Sequence, residues 1–155
     1  MWNSQENSYA PMYVYSDPMF MVTVSVVVIY DNQVLILKDE EVAKFPSGPV
    51  RAGKETIQFA AIRLVKEQVG ITLSKSALIP VDFRSDPSRS CSGNVVDLGF
   101  VTVVNSIPED FVGRCCNVDF EKRDLEDVEV VSEWFEDHNV LLDRAINVAL
   151  MVKED

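Results

Sequence analysis

Between Pro46 and Ile71 the sequence reads PSGPVRAGKETIQFAAIRLVKEQVGI, and this stretch restricts the fold more than any other. Gly48 and Gly53 mark a loop, because glycine enters positive-φ conformations without steric cost. From about Thr56 to Val69 apolar residues then recur at helical spacing: Ile57, Ala60, Ala61, Leu64, Val65 and Val69. Such a stripe turns one face of a helix toward a core and leaves Glu67 and Gln68 solvated. Gly70 stands where the helix C-cap falls. The segment is a loop, an amphipathic helix and a second loop, a unit that needs another layer to cover its apolar face.

The flanking sequence supplies that layer. Met21 to Tyr30 (MVTVSVVVIY) is rich in β-branched residues and reads as a buried strand, with Asp31-Asn32 as a turn and Val34 to Leu37 as the hairpin partner. Leu78 to Arg84, Asn94 to Val104 and Val128 to Phe135 read as further strands. A loop of serine, proline and glycine from Ser85 to Gly93 separates the first two. Leu142, Ile146, Ala149 and Leu150 place an amphipathic helix over Leu141 to Val152. A mixed β-sheet sandwiched between helices, an α/β/α layering, buries all of these stripes.

Composition bounds the class. A chain of 155 residues with 47% hydrophobic and 25% charged residues suits one compact domain. No linker or repeat divides residues 19–155, and residues 1–18 read as an N-terminal arm, flexible or an edge strand. The longest apolar run, Met19 to Tyr30, is too short to span a bilayer, and the arm lacks the pattern of a signal peptide. The expectation is a cytoplasmic protein. A net charge of −11 argues against nucleic acid and anionic membrane as partners. Nine of the 25 acidic residues fall between Asp119 and Asp137, which reads as a solvated face or a reserve of metal ligands. The three cysteines, Cys91, Cys115 and Cys116, lack a zinc or disulfide spacing. His138 is the only histidine, so a nucleophilic Cys–His pair would need the fold to bring a cysteine to it.

The Pro46–Ile71 segment resembles a Nudix box. That family's pattern is Gly, five residues, Glu, seven residues, then Arg-Glu-apolar-any-Glu-Glu-any-Gly-apolar. Glu55, Arg63, Val65, Glu67, Gly70 and Ile71 keep it. Leu64 and Gln68 stand where the family has glutamates, and six residues separate Gly48 from Glu55. Residues three and four apart share a helix face, so positions 64, 67 and 68 project together, and in the family their carboxylates hold Mg²⁺. Further segments resemble ADP-ribose pyrophosphatases and related regulators of NAD metabolism. These are Val81-Asp82-Phe83-Arg84 with the loop from Asp86 to Val96, Glu133-Trp134-Phe135, and Leu141 to Ile146. The regulators carry a DNA-binding winged helix after this domain, whereas the present sequence reaches Asp155 directly after the terminal helix.

The resemblance implies a Nudix fold and a nucleotide-type ligand, a nucleoside diphosphate joined to another moiety as in ADP-ribose. Glu55 and Glu67 are the box carboxylates left for catalysis, and Glu67 alone matches a metal-ligand position. The Glu55–Arg63 pair is a salt bridge in the family. Gly48, Arg51, Arg84 and Arg89 are expected at the ligand, with Gly48 shaping the phosphate loop and the arginines lining an anion-binding cleft. With two principal ligands replaced, hydrolysis is expected to be impaired or absent. The alternative is an active Mg²⁺-dependent hydrolase that draws on Glu67, Glu55 and carboxylates from elsewhere, such as Asp97. Related pyrophosphatases pair through their sheets and N-terminal segments, so Met12-Tyr13-Val14-Tyr15 suggests a homodimer.

Overall fold

The computed structural model describes residues 19–38, 42–126 and 133–154. Strand β1 (Met21–Tyr30) is the centre of the sheet. It turns through Asp31 and Asn32, both at positive φ, into β2 (Gln33–Lys38), with Ile29 opposite Val34 and Tyr30 opposite Gln33. Two consecutive positive-φ residues are the requirement of a two-residue type I′ turn, which matches the strand twist.

The short strands β3 (Ala43–Lys44) and β4 (Ser47–Pro49) follow, pairing with β2 and β1 respectively. Helix α1 (Ile57–Val69) comes next. After a 3₁₀ turn at Lys75–Ala77 come β5 (Ile79–Arg84), β6 (Val95–Val103), β7 (Gly113–Asp119), β8 (Asp124–Leu125) and helix α2 (His138–Glu154). The sheet order is β5-β6-β1-β2-β7-β8. All pairs are antiparallel except β1 with β6, which run parallel from Met21↔Val95 to Ile29↔Val103.

The period of two along β1 divides the core between the helices. Val24, Val26 and Val28 pack under α1 with Leu35, Ala60, Ala61, Leu64, Val65 and Phe100. Val27 and Ile29 face α2 with Val34, Ile36, Phe45, Val101, Leu142 and Ile146. Full burial of each such side chain is worth about 1.5–3 kcal/mol. The layering is the α/β/α arrangement that the sequence implies.

Capping fixes the limits of α1. Thr56 Oγ1 accepts from the Phe59 amide at 3.2 Å, and Gly70, at φ 87°, donates its amide to the Val65 and Lys66 carbonyls. Strand β7 was not anticipated from the sequence. Of the expected strand Val128–Phe135, residues 128–132 lie outside the described residues, and Trp134 makes a single parallel bridge to Ala43. The N-terminal arm and its Met12–Tyr15 segment also lie outside them. Among the described residues no helix is long and apolar enough to cross a membrane.

Candidate functional site

The loop between β4 and α1 is tied to the helix by one arginine. Arg63 Nε and Nη2 donate to the two oxygens of Glu55, each at 2.9 Å, and Nη2 also donates to the Pro49 carbonyl at 3.0 Å. The Arg51 amide donates to Glu55 Oε2 at 2.9 Å. Arg63, followed by the Arg51 amide, holds the Glu55 carboxyl well below the usual range, at about 2. Arg63 Nη1 reaches Glu67 at 3.0 Å, and the Arg51 guanidinium stands 3.9 Å from the other Glu67 oxygen.

The face of α1 turned toward this loop is filled by protein. Leu64 is buried in the α1 core, and its Cδ2 lies 2.8 Å from where a Cβ on Gly48 would sit. Gln68 is half-buried rather than solvated. Its Oε1 accepts from the Ser47 amide at 3.0 Å, and its Nε2 donates to the Ser47 carbonyl at 2.9 Å. Both Glu55 oxygens and one Glu67 oxygen accept from arginine, the Gln68 oxygen accepts from backbone, and Leu64 offers no donor atom. Mg²⁺ requires near-octahedral oxygen coordination, and this donor set as arranged does not fit it.

On the opposite side of the sheet the starts of β1 and β6, the end of β5 and the start of α2 share a buried polar network. Asp97 Oδ1 accepts from Thr23 Oγ1 at 2.6 Å and from Ser25 Oγ at 3.0 Å. Ser25 Oγ lies 3.3 Å from His138 Nε2, while His138 Nδ1 accepts from the Phe45 amide at 3.0 Å. An accepting Nδ1 places the proton of a neutral ring on Nε2, so His138 donates to Ser25 and Ser25 donates to Asp97. Burial, followed by the charge of Arg84, depresses the His138 pKa to about 3. A neutral imidazole whose Nε2 carries the proton is not a base for Ser25, and both nitrogens are engaged without a thiol.

Arg84 is the hub of the charged part. Its side chain is 6% exposed and contacts Asp82, Asp97 and Asp137. Arg89, 3% exposed, donates to both oxygens of Asp137 and reaches Glu136 at 3.3 Å, while Arg144 donates to Asp82 at 2.8 Å. Arg89 Nη1 is buried with no partner among the described residues. Burial pushes the Asp137 carboxyl up, but Arg89 and Arg84 together outweigh it and leave it below its ordinary value. Asp97 and Asp137 are thus held by arginines.

Between the box loop and this network opens a pocket of about 220 Å³, lined among others by Thr23, Ser47, Gly48, Ser90, Asp97 and His138. A NUDIX domain family model matches residues 19–147. The chain belongs to the NUDIX family. No curated protein matches the sequence. Among solved structures it is similar to a MutT/nudix family protein from Enterococcus faecalis, with TM-score 0.70 and 17% identity over 95% of this chain and 71% of that one. The NUDIX domain of Shewanella oneidensis NrtR, solved with ADP ribose, gives TM-score 0.68 and 15% identity over 95% and 99%. A bifunctional NMN adenylyltransferase/ADP ribose pyrophosphatase from Francisella tularensis, solved with AMP and a manganese ion, gives 0.62 and 20% over 96% and 47%. The chain thus spans about half the length of the Francisella protein.

Within the NUDIX frame the structure brings Glu55, Glu67, Arg51 and Arg63 together at the box, with Gly48 against Leu64. Arg84 and Arg89 meet at Asp137 behind the pocket, neither side chain forming part of its lining, and Arg51, 58% exposed, stays with the box. Thr23 and Ser25 join Asp97, and His138 joins Ser25, which no sequence motif indicates. The signal was present as two polar positions inside the apolar β1 run, both on the face that turns toward α2.

Proposed function

We propose that this NUDIX protein binds a nucleoside diphosphate-linked ligand of the ADP-ribose type and that its hydrolysis is impaired or absent. The observation that carries this reading is the filled metal face: Leu64 packs against Gly48, and the Gln68 amide is paired with Ser47. Loss of a partner one shell out from a metal costs ~10–100-fold in affinity or activity, and here two of the family's principal ligands are replaced. Metal binding at the box is correspondingly weak, with Glu67 as its one carboxylate at a family ligand position.

In this reading the ligand lies in the cleft between the box loop and the Ser85–Gly93 loop. Gly48 and Arg51 meet the diphosphate, and Arg84 and Arg89 support the opposite wall from behind through Asp97 and Asp137. The ADP ribose and AMP in the Shewanella and Francisella complexes support the ligand class. The alternative, an active Mg²⁺-dependent hydrolase, needs carboxylates from outside the box. Asp97 and Glu136, the carboxylates of the pocket lining, are paired with Arg84 and Arg89 respectively, and Asp137 with both. The protein works in this reading as a cytoplasmic homodimer, and light scattering at micromolar concentration tests the dimer.

The deciding experiment pairs thermal denaturation with turnover, using ADP-ribose with and without Mg²⁺ or Mn²⁺. A ligand that binds only the native state raises the melting temperature. The expected result is a rise with ADP-ribose in the absence of metal and no cleavage in its presence. Metal-dependent release of AMP would establish the hydrolase instead.

A further inference from the structure

The pocket between the box loop and the Asp97 network has a chemistry that separates the two ends of such a ligand. Its volume of about 220 Å³ falls below the ~300–1,000 Å³ that encloses a drug-sized molecule, so it takes one sugar-sized part of a larger ligand. Five hydroxyl side chains line it: Thr23, Ser25, Ser47, Ser90 and Ser92.

Their bonds fix what they offer. Thr23 Oγ1 gives its single proton to Asp97 and turns remaining lone pairs outward as acceptors. Ser90 Oγ accepts from the Ser92 amide at 3.1 Å, which leaves its proton to donate. A partner that both donates and accepts at close spacing fits this mixture. A sugar hydroxyl does so, whereas an ionised phosphate only accepts.

Charge points the same way. The carboxylates of Asp97 and Glu136 and the ammonium of Lys44 are the charged groups of the lining. Behind them Arg84, Arg89 and Arg144 are balanced by Asp82, Asp97, Glu136 and Asp137, and each of the three directs donors at these carboxylates, Arg89 Nη1 being the buried exception. Counting Lys44, four positive charges face four negative ones, and no net positive field is left to hold an anion. Arg51 and Lys54, both exposed on the box loop, are cations outside this balanced set, Arg51 standing 3.9 Å from Glu67.

We propose that this pocket takes the uncharged sugar of the diphosphate-linked ligand by its hydroxyls, while the diphosphate stays outside it along the box loop near Arg51. The assignment rests on the cleft described under the proposed function and adds which moiety is read there. It implies selection on the group attached beyond the diphosphate.

Calorimetric titration of the full chain with ADP and with ADP-ribose tests this, together with Ser92→Trp, which fills the pocket mouth from an exposed loop position. Wild type is expected to bind ADP-ribose at least tenfold tighter than ADP, and S92W, with an unchanged circular dichroism spectrum, to bring the two affinities together. Equal affinities in wild type, or a preference that survives S92W, would overturn the assignment. If neither nucleotide binds, the proposed function fails. The pocket is then read separately by amide shifts with millimolar D-ribose: shifts at Thr23, Ser90 and Ser92 support the sugar site, and their absence removes it.

Discussion

The single histidine gives this protein a pH dependence that can be isolated. His138 is buried against Phe45 and Phe135, donates to Ser25 and accepts from the Phe45 amide, so protonation would break the Phe45 contact and place a charge beside Arg84. Its folded pKa of about 3 lies below the ordinary 6.5. The unfolded chain therefore binds a proton that the folded chain refuses, and stability present above pH 6.5 is lost as pH falls toward 3. The slope approaches ~1.4 kcal/mol per pH unit, and the loss between pH 7 and pH 5 comes to about 2 kcal/mol. Arg84, Arg89 and Lys44 act with burial to depress the pKa, while Asp137 opposes them. Glu55, whose folded pKa is also depressed, contributes its loss below about pH 4.5, outside the window. Urea unfolding at pH 7 and pH 5 measures the effect, and His138→Asn removes the titration while keeping an acceptor near Phe45. The variant is expected to be less stable at pH 7 and to lose about 2 kcal/mol less than wild type between the two pH values. Equal losses in the two proteins would refute a buried, neutral His138.

Three further outcomes follow from the packing. Gly48→Ala drives a methyl into Leu64 and should cost about 1–3 kcal/mol by denaturant unfolding, a cost that adding Leu64→Ala relieves beyond additivity; strict additivity would deny the contact. Arg84→Met leaves Asp82 and Asp97 buried without their shared cation, so a loss of roughly 3–5 kcal/mol is expected, and a melting temperature within a degree of wild type would contradict the hub described for Arg84. Leu64→Glu with Gln68→Glu places three carboxylates on one face of α1 with Glu67 and should raise Mg²⁺ affinity in calorimetric titration, whereas Leu64→Glu alone should mainly destabilise. Tight Mg²⁺ binding already present in wild type would mean that ligands outside the box supply it.

The sequence exposed the scaffold where local pattern and tertiary context agreed. The β-branched run of β1, the Asp31-Asn32 turn and the stripe of α1 carry their periods openly, and Glu55 with Arg63 keeps a spacing that only a folded loop explains. Strand β7 was missed because Gly113-Arg114-Cys115-Cys116-Asn117 lacks β-branched residues, and its strand character comes from pairing with β2. The polar network was hidden for another reason. Thr23, Ser25, Asp97 and His138 are far apart in sequence and meet only through the parallel β1–β6 pair and the start of α2. Asp137 belonged by composition to a solvated acidic segment, yet it bridges Arg84 and Arg89. Leu64 and Gln68 could be read as lost ligands, but not that Gln68 pairs with the backbone of Ser47.

The parallel register of β1 and β6 also governs when the protein can exist during synthesis. Thr23 and its strand partner Asp97 are 74 residues apart. At the ~5–20 residues per second of translation, β1 leaves the ribosome roughly 4 to 15 s before its partner does. Through that interval the β1–β2 hairpin and α1 are local and able to form, while one edge of the valine-rich β1 strand waits unpaired. Such an edge templates association with other chains. A nascent chain stalled before Val95 keeps that edge exposed, so slow codons between Ile79 and Val95 are expected to lower soluble yield without changing one residue of the product.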